Sequence, residues 1–437
     1  MNTISMSAAI GALALLAVPS RADVLIVDTD HPAPFRQIQE AIDVAQDGDT
    51  IVVRPRVDYR ARMDGFVIDG KALTIHGMDA EFLLTGKATI RSIPAGGTVV
   101  LRGLDINRRT RDDPHAHDVD PLSPGAPGIG LVVAECAGAV SLQSCSVEGG
   151  FISGWTGGPS QGGIELVDVS SFSAVDCRLR GGAVSTGMRI VRSRATLYRS
   201  DVFGGIGLGD TGYNPTSGDG ALGVDVRGRS FLWIGDSSIE GGPGGIAYCI
   251  GTGSCPATVG DGGTGMTVES ASQVYSLASV VRGGPVGYTD PSFGWIDNPP
   301  SIGVALTGQI DIIPGAQRSV QCAPMVASGS SLPMTFTGLE GEEVQLLVGG
   351  GTAFRFFGSL TGAFMVRDLL QVSPQGSWPT MPGSGSLARD ITLPQVAAGE
   401  VRTMTVQAFF RSPGSMTRFR ISNPQTVTVF GAGVPIP

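Results

Sequence analysis

Glu165, Arg189 and Asp225 fall at one position of three successive copies of a repeated segment, so two carboxylates flank a guanidinium. Such a set can gather a divalent cation, act as acid and base, or simply pair its charges. A Ca²⁺ shell takes roughly six to eight oxygens. The two carboxylates are two repeats apart, about 9.6 Å at strand spacing, too far for one ion. An ion-pair ladder is therefore the simpler expectation, with the three residues kept as weak catalytic candidates. Arg178–Asp201, Glu148–Arg180 and Glu240–Arg282 are neighbouring pairs of the same kind.

Two of the four histidines lie in His115-Ala-His117-Asp118-Val-Asp120, close to Asp112 and Asp113. Imidazole with carboxylate can hold Zn²⁺ or a similar ion, which makes His115, His117, Asp118 and Asp120 metal candidates. Their Pro- and Asp-rich surroundings read more simply as a solvated loop. Gly-Asp-Gly at 218–220 and 260–262 has the look of a Ca²⁺-binding turn, but two isolated copies are a thin signal.

A third kind of chemistry is sugar recognition. Four inserts, 151–161, 206–220, 243–263 and 285–300, hold Trp155, Tyr213, Tyr248, Tyr288 and Trp295, against six Tyr and four Trp in the whole chain. They also hold Asp210, Asp219, Asp261, Asp290 and Asp297, and no Lys or Arg. Amphipathic rings beside acids can stack on sugars and bond their hydroxyls; the plainer alternative is that the rings pack the loops down. No Lys or Arg in the inserts favours neutral over anionic sugars.

The elements that would position these residues show as a repeat. Segments end in Gly149-Gly150, Gly181-Gly182, Gly204-Gly205, Gly241-Gly242 and Gly283-Gly284. Aligned on those pairs, Val147, Leu179, Val202, Ile239 and Val281 share a column, as do Cys145, Cys177, Ser200, Ser237 and Ser279. An earlier strand repeats as Leu131/Val133, Ile164/Leu166, Met188/Ile190, Val224/Val226 and Met266/Val268. Apolar residues two apart are strands with one inward face. A unit this small cannot bury its face alone, so units must stack. That predicts a parallel β-helix with a turn at each Gly-Gly and the inserts gathered on one side. A leucine-rich repeat is excluded, because its LxxLxLxxN signature does not recur.

Residues 35–46, FRQIQEAIDVAQ, form an amphipathic helix with Ile38, Ala41, Ile42 and Ala45 on one face. DGDTIVV follows at 47–53, then FVIDGKALTIHG at 66–77. This opening resembles that of secreted pectin-lyase-like proteins, whose helix caps the first coil of a right-handed parallel β-helix. The resemblance spans about residues 24–315. It implies a polysaccharide lyase, hydrolase or esterase as one class of activity. The pectate-lyase-like pattern of Ca²⁺-binding carboxylates beside an Arg base is what brings Glu165, Arg189 and Asp225 forward. The polygalacturonase-like and pectin-methylesterase-like residue sets find no match.

Residues 8–18 are an apolar run, and Ser20-Arg21-Ala22 offers a small-x-small cleavage site. This reads as a signal peptide over 1–22, hence a secreted or cell-surface protein. Export permits disulfides among the six cysteines. Cys249–Cys255, in one Gly/Ser/Thr loop, is the pair expected to bridge; Cys145 and Cys177 are expected as stacked thiols. The formal charge of −9 argues against a nucleic-acid partner. No later run reaches membrane-spanning length. From about Arg318 the Gly-Gly pairs stop and short strands predict a β-sandwich.

The expectation is an all-β chain: β-helix over 23–316 with a capping helix, then a small sandwich over 317–437. The leading function is display of loops for carbohydrate or cell-surface binding. The alternatives are a polysaccharide lyase or hydrolase, and a structural or adhesive surface protein. No cofactor is required; Ca²⁺ is the one ion considered.

Overall fold

The computed structural model describes residues 22–28, 33–54, 63–78, 83–84, 86–106, 129–150, 162–212, 217–249, 257–287, 296–298, 300–357, 360–373, 379–413 and 419–434. One coil shows how the sequence becomes structure. Ile164–Val167, Ser171–Val175 and Arg178–Arg180 are three short strands. Each pairs in parallel with its counterparts one coil before and one coil after. Three all-parallel sheets result, of eight, ten and seven strands, called here sheets 1, 2 and 3 in coil order. This is the expected parallel β-helix.

Every sheet turns one face inward. Val147, Leu179, Val202 and Ile239 are register partners in sheet 3 and are 0–1% exposed. Leu142, Ala174, Leu197 and Ile234 do the same in sheet 2. The helix Ile38–Val44 closes the first coils with Ile38, Ala41 and Ile42. Its first turn is held by Glu40, whose carboxylate accepts from the Arg36 and Gln37 N–H groups at 2.8 and 3.2 Å. A helix over this end guards it against uncontrolled strand pairing.

The two corners of each coil are tight and built alike. A non-glycine residue with left-handed φ turns the chain, as at Asp168 (55°) and Arg192 (48°) on one corner and Asp176 (55°) and Arg199 (45°) on the other. The next residue is often serine, whose hydroxyl accepts the N–H of the rung before. Cys177 donates to Ser200, Ser200 to Ser237 and Ser237 to Ser279, each at 3.1 Å. Val169, Ser193 and Ser230 donate along the other corner to Ser193, Ser230 and Ser272. These ladders satisfy corner N–H groups that lie outside the sheets. Cys145 and Cys177 head the first ladder as free, buried thiols, and Cys136 and Cys322 are free too. Burial, then the adjacent Cys145, pushes the Cys177 thiol well up.

The region after Arg318 is a two-sheet sandwich with its own core, including Leu332, Phe336, Leu346, Met404, Val406 and Val427. The other face of its larger sheet lies on the outer face of sheet 2. Val175, Tyr198, Trp233 and Leu277 from the β-helix bury against Phe354, Ala363 and Met365. Phe231, Tyr275 and Phe356 form an aromatic cluster there with centroid separations of 5.0 to 5.4 Å. Nearer the first coils the contact is polar: Thr74 to Thr403 at 2.9 Å, His76 to Thr428 at 2.8 Å, and Arg102 to the Thr426 carbonyl at 3.3 Å. At the junction, Arg318 and Glu342 form a fully buried bidentate pair at 2.5 and 2.6 Å. Glu342 also accepts from the Leu339 N–H.

His76 makes the docking pH-dependent. Burial, then the nearby Arg102, pushes its imidazole down from 6.5 to about 3. The folded chain therefore keeps His76 neutral while the unfolded chain protonates it below pH 6.5, so its stabilisation is full above 6.5 and is lost as pH falls towards 3. Relative to a His76→Gln variant, the protein should lose about 2 kcal/mol between pH 7.5 and pH 5, read from urea unfolding at each pH. Parallel curves for the two proteins would refute this.

Candidate binding surface

Five parallel rungs meet the side where the inserts leave and return, and there the later Gly-Gly pairs do something other than turn. None of the paired glycines has a left-handed φ. Gly204-Gly205, Gly241-Gly242 and Gly283-Gly284 start limbs that thread between the return limbs of adjacent coils, whereas Gly181-Gly182 leads into a turn in which Val184 has a left-handed φ of 51° and the Ser185 N–H donates to the Gly182 carbonyl at 3.1 Å. The Gly205 N–H donates to Ser185, Ala221 to Gly205, Gly242 to Ala221, Gly263 to Gly242, Gly284 to Gly263 and Gly303 to Gly284, all at 2.7–3.0 Å. Outgoing and returning limbs so alternate in one hydrogen-bonded layer. The expected turn is present at Gly181-Gly182 and is corrected at the three later pairs, where glycine is needed for close approach. A Cβ at Gly205 would land on the Gly182 carbonyl, and one at Gly242 on the Gly205 carbonyl.

Farther out the inserts continue to stack. Asp210–Gly212 pairs in parallel with Ala247–Cys249, and Ala257–Thr258 with Ile296–Asn298. The described parts of the inserts 206–220, 243–263 and 285–300 thus stack on one another, while 151–161 lies outside the described residues. In the two Gly-Asp-Gly segments, Asp219 accepts the Asp261 N–H at 2.9 Å and Asp261 accepts the Ser301 N–H at 2.6 Å. The similarity to Ca²⁺ turns therefore has a structural cause: each carboxylate spans one rung to bind the next backbone. Ser217 works likewise, accepting from Gly260 at 2.8 Å and donating to Gly245 at 2.9 Å.

Trp155, Tyr213, Tyr288 and Trp295 lie outside the described residues, as do His115, His117, Asp118, Asp120 and Cys255. Tyr248 and Cys249 sit on the strand Ala247–Cys249, with their side chains outside what is described. Among the described residues there is no group of three or more His, Cys, Asp or Glu that could hold a metal ion. No helix among them is long and apolar enough to cross a membrane.

Glu165, Arg189 and Asp225 are register neighbours on the outer face of sheet 1. Arg189 meets Glu165 at 3.2 Å, as the ladder reading expects. Asp225 instead takes Arg227 of its own strand at 2.8 Å and is buried. The set is therefore split between two ion pairs. Arg178 and Asp201 are also neighbours without pairing: the Arg178 guanidinium lies over the Phe203 ring, 5.5 Å from its centroid.

Sequence reasoning missed a groove of about 500 Å³ at the corner between sheets 2 and 3. Asp105, Asp176, Asp201, Arg178 and Arg199 supply its charge, and Ser144, Ser146 and the two stacked cysteines lie beside them. Arg199 holds Asp176 through two bonds of 2.7 Å, yet its Nη1 is buried without a partner. Burial pushes the neighbouring Asp236 carboxyl up, against the pull of Arg199. Charged left-handed corner residues precede Cys177 and Ser200, as Asp176 and Arg199, but Ser144 and Ala278 hold the same place before Cys145 and Ser279, so no recurring charge announces the groove in sequence. No protein-family model matches the chain, and no curated protein matches its sequence.

Two outcomes are expected. Gly205→Val should destabilise by about 3 kcal/mol or more in denaturant melts, because backbone rather than a yielding side chain opposes it. Arg189→Gln removes one half-exposed ion pair and should change stability by less than about 1 kcal/mol.

Proposed function

We propose that this chain is an exported β-helix protein of the pectin-lyase-like type that presents its inserts to carbohydrate at a cell surface. The observation that carries the reading is the glycine-rich layer, which ties the feet of successive inserts to one another through backbone hydrogen bonds. Loops rooted this way lose little further entropy when they engage a ligand. Repeating loops on one side suit a ligand that itself repeats. The inserts carry aromatics and acids with no Lys or Arg, which favours neutral glycans over pectate.

A second reading, a polysaccharide lyase or hydrolase on the same framework, is favoured by the groove. There three aspartates and two arginines line one open cavity, a set from which an acid, a base and a charge stabiliser can be drawn.

Screening the chain lacking residues 1–22 against immobilised glycans should detect binding to neutral polysaccharide. Trp155→Ala with Tyr213→Ala should weaken it at least about tenfold with the melting temperature unchanged. A double variant that melts well below the parent, with no binding by the parent, would mark the aromatics as packing residues. Release of sugar ends from polysaccharide, abolished by Arg178→Ala, would favour the second reading instead.

A further inference from the structure

The groove between sheets 2 and 3 is shaped by a step in one column. Gly77, Gly103, Ser144, Asp176 and Arg199 occupy the corner on successive rungs. From Gly103 onwards their φ angles lie between 45° and 62°, so the backbone path repeats and only the side chains change. Two glycines and a serine leave the corner low, and it rises at Asp176 and Arg199. Beside it runs the outward column of sheet 3, Asp105, Ser146, Arg178 and Asp201. Asp105 and Arg178 stand two rungs apart, about 9.6 Å at strand spacing, with Ser146 between them. The opening of about 500 Å³ is thus a gap in side-chain bulk, and its size is that of an ordinary small-ligand site.

Only part of the charge around it is free to act. Asp176 and Arg199 hold each other through two bonds. Arg178 and Asp201 are exposed register neighbours, yet among the described residues neither has an ion-pair partner. Arg178 lies over the Phe203 ring, 5.5 Å from its centroid, which braces the guanidinium without a hydrogen bond.

We infer that the groove takes a neutral sugar ring, with Arg178 as donor, Asp201 as acceptor, and Ser144 and Ser146 at the floor. This rests on the reading of the groove as a polysaccharide site and names the class of sugar. One unpaired cation and one unpaired anion stand side by side. A carboxylate on the ligand would meet Asp201, and an ammonium would meet Arg178. A hydroxyl satisfies both, because it donates one hydrogen bond and accepts two. Vicinal hydroxyls of one ring therefore match the two neighbouring rungs. An uncharged sugar also agrees with inserts that carry no Lys or Arg.

The test is isothermal titration of the full folded chain with three uncharged hexasaccharides, of glucose, mannose and galactose, and with hexagalacturonate as the acidic probe. At least one neutral probe should bind, with a dissociation constant below about 1 mM, and more tightly than the acidic one. Arg178→Gln and Asp201→Asn should each weaken it at least about tenfold. Ser146→Trp fills the gap, leaves both charges in place and should abolish binding, which keeps the test open if a charge variant misfolds. Arg192→Gln, at the other corner, should leave the affinity unchanged. Tighter binding of hexagalacturonate that requires Arg178 overturns the neutral class while the groove stands as a site. Neutral binding that survives all three groove variants overturns the groove and leaves the inserts as the binding face. No binding by any of the four probes overturns the inference outright.

Discussion

Strands in a parallel stack can be no farther apart than a backbone hydrogen bond permits, about 4.8 Å, and that single spacing governs the molecule. Each side chain sits directly on its counterpart one rung away, so a column accepts only residues content with their own kind. Apolar residues satisfy this inside, where Leu142, Ala174, Leu197 and Ile234 bury one another. Serine satisfies it at the corners, because its hydroxyl accepts the N–H of the rung before. Charges must alternate, as Asp168 with Arg192 and Asp176 with Arg199 do, each pair bidentate at 2.7 Å. Where outgoing and returning limbs share one layer there is little room for side chains, and glycine fills most places, with Ser185 and Ala221 between.

The same spacing separates what could be read in the sequence from what could not. Inward columns and the capping helix were legible because each depends on residues at fixed offsets. Ile38, Ala41 and Ile42 needed only a helical period. A turn follows Gly181-Gly182, but the role of the later Gly-Gly pairs was misread, because a glycine required for close approach looks in sequence like a glycine required for a turn. Docking of the sandwich was invisible for a related reason. Ser141, Ser173 and Thr196 point outward and look solvent-facing, but all three are buried beneath the second domain. Small hydroxyl side chains suit a dry interface as well as a wet surface. The corner groove draws on Asp105, Asp176, Arg199 and Asp201 from different rungs. Their separations in sequence vary with insert length, so no fixed motif marks them.

The proposed function rests on the parts the stack does not constrain. The inserts are free to vary beyond their feet, whereas Asp219, Asp261 and Ser217 are held to backbone duties. Binding residues are thus to be sought at the insert tips or in the groove.

The sandwich lying across sheet 2 has a further consequence, for the history of the chain. Its contacts run from Thr74 near one end to Ile313 near the other. A free solenoid is a row of neighbours whose copy number drifts easily, since each unit answers only to the next. Here a duplicated or deleted coil would slide Trp233 and Tyr275 out from under Phe356 while His76 stayed beneath Thr428. The second domain acts as a ruler: it freezes the number of coils under it and leaves insert length as the dimension in which relatives can diverge.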